Sequence, residues 1–154
     1  ARAAEWDAFV YSSVDGTFFH RAGWHDIFRD VFRLDPQFLL AERDGRIVGV
    51  LPLVHQKSLL FGNALIAAPF CVEGGTLAGD DEARAALDNA AIELMKEKGA
   101  ASLEFRSRRA MRAGWAARKD LYATFSDKDF RLGLNAAQTT LGAVARLTGA
   151  KLVK

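Results

Sequence analysis

The sequence holds one cysteine in 154 residues, Cys71, so an intrachain disulfide is excluded. That usage suits a reducing compartment and leads to the expectation of a cytoplasmic protein. Cys71 stands between Phe70 and Val72, the setting of a small buried hydrophobe rather than of an activated nucleophile. Excess charge is also scarce. With 21 basic and 19 acidic residues the formal net charge is +2, too small to argue for a DNA partner. No apolar run approaches the ~18 residues of a membrane span. The N-terminal Ala-Arg-Ala-Ala-Glu-Trp-Asp lacks the apolar core of a secretory signal. His20 and His25 would not share a helix face, His55 is distant, and no Cys/His cluster has zinc spacing, so no metal site is expected. The chain has no G-x-S-x-G and no Gly-Lys-Ser/Thr, and Gly74-Gly75 lacks the third glycine of a dinucleotide fingerprint.

What is present is a core. Half of the residues are hydrophobic, enough for one domain or one lobe of a larger protein. Trp6, Phe9 and Val10 predict a short helix over residues 3–11, ended by the turn residues of Ser12–Gly16. Trp24, Ile27, Phe28, Val31 and Phe32 predict a second helix from about Arg21 to Phe32, its apolar stripe facing inward. Phe38–Glu42 reads as a strand, and Asp44-Gly45 as a type I′ hairpin turn. Ile47–Val54 is apolar on both faces, so this partner strand should be central and covered twice. Pro52 within it donates no ladder bond and predicts a bulge or splay. Ala64–Ala68 forms a further strand, and Pro69–Gly79 is irregular. Asp80 caps the clearest helix, whose apolar face is Ala83, Ala86, Leu87, Ala90, Ala91, Leu94 and Met95, with Gly99 at its far end. Ser102–Arg106 and Leu121–Phe125 read as strands, and Asn135–Leu147 as a weak helix. The sum is α+β or mixed α/β, with helices on a largely antiparallel sheet.

Few residues stand out as chemistry, and each has a bland reading beside the sharper one. His20 is a capping or structural histidine, or a base. Trp24 packs in the core, or lines a cleft. Gly74 and Gly75 make a tight turn, or admit a ligand close to the backbone. Glu104 and Arg106 share the outer face of their strand, as a paired surface or as a polar wall. Six basic residues from Arg106 to Lys119, among them Arg108 and Arg109, form a solvated loop or an edge for a phosphate-bearing substrate. An acyl-CoA loop of the form Q/R-x-x-G-x-G/A is only half matched. Arg46–Gly49 and Arg146–Gly149 start it, and Leu51 and Lys151 then stand where a small residue is needed.

Five segments in order carry a resemblance: Thr17-Phe-Phe-His-Arg-Ala-Gly-Trp24, Ala41–Leu53, Lys57–Asn63, Pro69-Phe-Cys-Val-Glu-Gly-Gly75 and Leu103-Glu-Phe-Arg106. Together they resemble the N-terminal lobe of FemAB-like proteins, in the branch associated with PEP-CTERM exosortase and exopolysaccharide systems. The likeness covers roughly Trp6 to Phe125. It implies a GNAT-like lobe over residues 1–130, with 131–154 a divergent tail that the weak helix would occupy. Family members carry two such lobes, so 154 residues are expected to be half of a transferase, completed by a second lobe or a second copy.

The resemblance further implies N-acyl or aminoacyl transfer to an amine of an envelope or exopolysaccharide precursor, a small molecule or one linked to lipid or nucleotide. Acyl-CoA or aminoacyl-tRNA would be the donor. Phe19 and Trp24 correspond to the family's entry segment. Glu73, Glu104 or His20 would serve as base, while Gly74, Gly75, Arg106, Arg108 and Arg109 would border the substrate. Two other expectations stand beside this one. One is a non-catalytic module that dimerises through apolar residues near Trp115, Leu121 and Phe130. The other is a small-molecule N-acetyltransferase, against which the incomplete phosphate loop argues.

Overall fold

Asp44 and Gly45 turn the chain with φ of 51° and 75°, and Arg43 faces Arg46 across them in the computed structural model. Positive φ at both central residues is what a type I′ turn requires, and it matches the twist of the strands it joins. The turn pins β1 (Asp35–Arg43) antiparallel to β2 (Arg46–Ser58). The structure describes residues 2–58 and 62–106 fully, and the backbone at 116–117, 122–126 and 151–153. The expected helix at Asn135–Leu147, the basic loop with Arg108, Arg109 and Trp115, and Leu59–Phe61 lie outside these residues.

Gly49 to Val54 are buried without a break, so β2 is an interior strand of the sheet. Beyond it come β3 (Gly62–Ala67), the two-residue β4 (Leu77–Ala78), β5 (Ser102–Arg106), β6 (Ala116–Ala117), β7 (Tyr122–Ser126) and β8 (Lys151–Val153). Among the described residues the eight strands run β6-β7-β5-β3-β2-β1-β8, with β4 also on β2. All ladders are antiparallel except β3 with β5. The fold is mixed α+β. β8 was not anticipated. It falls in the tail, where a helix was expected upstream of it, and pairs with Leu40–Glu42 of β1.

Helices cover both faces. α1 (Ala3–Ser12) packs Trp6 and Val10 against Leu40 and Val50. α3 (Asp81–Glu97) lies on the other face, where Ala83, Leu87, Ala91, Leu94 and Met95 meet Leu39, Leu51, Leu53, Leu65, Leu103 and Phe105. Asp80 caps α3 as its sequence suggests, its carboxylate accepting from the Ala83 N–H at 2.8 Å.

Two local expectations need correction. The continuous helix from Arg21 to Phe32 is instead a 3₁₀ turn (Phe18–His20), a three-residue α2 (Trp24–Asp26) and a π-turn (Ile27–Val31). In a π-turn each residue rotates less than an α-helical step, so positions three and four apart no longer stack. Phe28 alone of the predicted stripe is fully buried, while Val31 is 70% exposed. At Pro52 there is no bulge: Phe38 still faces it, and the irregularity in the ladder lies between Ala41 and Glu42. The sheet does open on the opposite flank of β2. There β4 pairs with Gly49 and Val50, β3 takes over from Leu53, and the Pro52 carbonyl accepts from the Ala68 N–H at 2.9 Å. A residue's N–H and C=O point to one edge of an extended strand, so the missing donor of Pro52 falls where the ladder changes partner.

Candidate functional site

That opening is filled by the loop from Ala68 to Thr76, and most of the candidate residues converge on it. The loop begins under strain. Ala68 has φ 44° and Phe70 φ 67°, left-handed values that a bulky side chain rarely adopts. Phe70 is 63% exposed and stacks on Phe32, ring centroids 4.8 Å apart.

The end of β5 braces the loop. The Gly74 N–H donates to the Arg106 carbonyl at 2.8 Å, and the Arg106 N–H donates back to Gly74 at 2.7 Å. The Arg106 guanidinium donates through Nη1 to the Cys71 carbonyl at 3.0 Å. Its Nε lies 3.2 Å from Glu104 Oε1, close enough for an ion pair but without the alignment of a hydrogen bond. Gly74 is sterically required. A Cβ there would sit 2.3 Å from the Ala68 Cβ, so the close approach this glycine permits is to the loop itself. Burial pushes the Cys71 thiol up to about 11 despite the nearby Arg106 cation, which keeps it neutral and unreactive at pH 7.

His20 meets the loop from the other side. It ends the 3₁₀ turn and is 6% exposed. Its Nδ1 accepts from the Thr17 N–H at 3.3 Å and lies 2.8 Å from Thr17 Oγ1, while Thr17 Oγ1 accepts from the Phe19 N–H at 3.3 Å. This is a capping box with histidine in the place usually held by glutamate or glutamine. The Glu73 carboxylate and the Gly75 backbone lie near enough to the ring to favour its charged form. Burial lowers its pKa below the ordinary histidine value, and Glu73, Gly75 and Asp15 offset only part of that.

Phe19 and Trp24 lie beneath the same loop, half-buried against Phe28, Val54, Ala68 and Cys71. Trp24 Nε1 donates to the Phe18 carbonyl at 3.0 Å, and the Phe19 and Trp24 rings are 6.0 Å apart. Thus Glu73, Gly74, Gly75, Glu104, Arg106, His20, Phe19 and Trp24 share one region, whereas Arg108 and Arg109 lie outside the described residues. A concavity of about 670 Å³, lined by Arg2, Trp6, Ala22, His25, Phe38 and Leu40 among others, contains none of them.

Three features of this region were missed in the sequence. Thr17 carries the cap, and a T-x-x-H spacing before an aromatic helix is a legible variant of the capping-box pattern. Asp88 is buried on α3 and accepts a short hydrogen bond from Thr76 Oγ1, which fastens the loop's far end. Its position between Leu87 and Ala91, on the apolar face, was the available signal. The strain at Ala68 and Phe70 has no sequence signature. Among the described residues no group of three or more His, Cys, Asp or Glu side chains could hold a metal ion, and no helix is long and apolar enough to cross a membrane.

No family model matches the chain, and no curated protein does. Among solved structures the chain is similar to one described as "Crystal structure of FemX", with 20% sequence identity and a TM-score of 0.49 over 87% of this chain. The match spans 29% of that chain's length, and a likeness at this level carries no argument about activity.

Proposed function

We propose that this chain is the substrate-binding lobe of a FemAB-type transferase, acting in N-acyl or aminoacyl transfer to an amine of an envelope or exopolysaccharide precursor. The observation that carries this reading is the convergence of Glu73, Glu104, Arg106 and the two glycines on one braced loop where the sheet opens at Pro52. The ordered series of FemAB-like segments supports the reaction class.

In the transfer the amine nitrogen bonds to the acyl carbon, the donor's ester or thioester bond breaks, and the leaving oxygen or sulfur departs with that bond's electron pair. The amine must lose a proton, and Glu73, Glu104 or His20 would take it. Titration calorimetry with acetyl-CoA and with a nucleotide-linked amino sugar tests the reading. Saturable binding of either, weakened in Glu73→Gln with the fold intact, is the expected result; no saturable binding of either sinks it.

A second reading, a non-catalytic module that dimerises, is favoured by the exposed Phe18, Phe70 and Val72, each more than 60% accessible. Sedimentation velocity distinguishes it, because a strict monomer at high concentration removes this alternative.

A further inference from the structure

We propose that His20 is a proton-sensitive cap, whose neutral ring accepts from Thr17 at Nδ1 and closes the Phe18–His20 turn, and whose protonation at Nδ1 opens that half of the cap. The inference is independent of the transferase reading.

The cap depends on a lone pair. Thr17 N–H points at Nδ1 from 3.3 Å and Thr17 Oγ1 approaches to 2.8 Å, so Nδ1 is the acceptor and the neutral ring carries its proton on Nε2. Nδ1 bonds Thr17, and the Gly75 backbone lies near enough to the ring to favour its charged form. A second proton can enter only at Nδ1. It would place N–H against N–H at Thr17, cancel one half of the capping box and leave the first backbone donor of the turn without that acceptor in a part-buried site.

The anchors around the ring make the release local. The His20 carbonyl accepts from Trp6 Nε1 at 2.6 Å, which holds that residue's backbone to α1 whatever the state of the ring. The Cys71–Gly74 part of the loop is held separately by Arg106. What depends on the ring alone is the Thr17 cap. The charges that face the ring are Glu73 from the loop and Asp15 from the turn before Thr17. The Arg21–Asp7 ion pair, 3.3 Å between its nearest atoms, joins the residue after His20 to α1. Burial disfavours the imidazolium and lowers the ring's pKa, while Glu73 and Asp15 favour the charge and offset part of that. His25 and His55 lack this wiring. His25 contacts the Asp26 carboxylate, and His55 contacts Asn63 and Asp35, with no backbone cap among their partners given by the structure.

The test follows amide protection and ring titration by NMR on the whole chain between pH 7.5 and the onset of acid unfolding. Glutamine at the third position of a capping box supplies the acceptor without titrating, so His20→Gln separates the proton from the cap. In the wild-type protein the protection factors of the Thr17 and Phe19 amides should fall on the order of tenfold through the His20 titration. They should stay level in His20→Gln. If that variant fails to fold, wild-type protein alone still decides. The ring ¹⁵N shifts should report an Nε2–H tautomer, and the Thr17 amide shift should titrate with the same midpoint. An Nδ1–H tautomer, a Thr17 amide indifferent to the ring titration, or an equal loss of protection in His20→Gln overturns the proposal.

Discussion

Replacing Gly74 by alanine tests the central geometric statement about the loop. The new Cβ would lie 2.3 Å from the Ala68 Cβ, and 3.2 and 3.3 Å from the carbonyl oxygen and carbon of Ala67. None of these atoms is the tip of a flexible side chain, so the backbone must shift. Overpacking of this kind costs about 1–3 kcal/mol. The shift also strains the two hydrogen bonds to Arg106, of 2.8 and 2.7 Å, each worth about 1 kcal/mol. A loss of about 2–5 kcal/mol follows, a large share of the roughly 5–15 kcal/mol that holds a domain together. Urea unfolding should show a midpoint lower by about 1–2 M at unchanged slope.

The companion variant Ala68→Gly removes the other half of the clash, and at φ 44° it also relieves about 1–2 kcal/mol of left-handed strain. The double variant should therefore be more stable than the sum of the single effects predicts, by at least ~1 kcal/mol. Rescue will be partial, because the Ala67 backbone remains in the way. A loss under ~0.5 kcal/mol in Gly74→Ala, or strict additivity in the cycle, would refute the reasoning. If Gly74 were small in order to admit a ligand, the alanine variant would bind more weakly with its stability unchanged.

Asp80→Ala should cost about 1 kcal/mol through the lost cap on α3, seen as a lower midpoint in circular dichroism melts. The Arg43 guanidinium, and then the Ala83 N–H, hold the Asp80 carboxyl below its ordinary value. Its contribution is therefore complete above that ordinary value, disappears as pH falls through the lowered one, and should be missing from the acid limb of the variant. Cys71, 4% exposed and pushed up to about 11, should react with a thiol reagent far more slowly in native protein at pH 8 than in urea, and rapid native labelling would count against its burial. The lowered pKa of His20 means that the unfolded chain binds this proton first on acidification. Stability from this residue should hold above pH ~6.5 and fall below it until the folded ring itself protonates, with a slope of at most ~1.4 kcal/mol per pH unit, and the slope should vanish in His20→Gln.

What could be read in the sequence follows from how local the determinants are. The Asp44-Gly45 turn, the Asp80 cap, the two-sided burial of β2 and the alternation of Leu103 and Phe105 with Glu104 and Arg106 each depend on a few neighbouring residues, and each is present in the fold. The second helix failed because its periodicity was satisfied by a competing local geometry. The cap at Thr17 and His20 winds a 3₁₀ turn ahead of it, and the π-turn after Asp26 moves Ile27, Val31 and Phe32 to the surface. For the candidate site the residue types were legible and their wiring was not. That Arg106 would turn inward to the Cys71 carbonyl, and that Gly74 would be small for the sake of Ala68, depends on segments more than thirty residues apart, or on a backbone conformation at Ala68 that carries no composition signal.

The parallel pairing of β3 with β5 has a kinetic consequence. β1, β2 and β3 are joined by short connections, so their ladders close small loops. Ala64 meets Ser102 only after the chain has run through β4 and α3, and such closure is slow because its entropy is spent before its contacts form. The Gly74–Arg106 bridge hangs on that late strand. The loop bearing Glu73 is therefore braced after the hairpin: an early intermediate would have a finished hairpin and an unshaped site, and binding competence should lag behind the recovery of the hairpin during refolding.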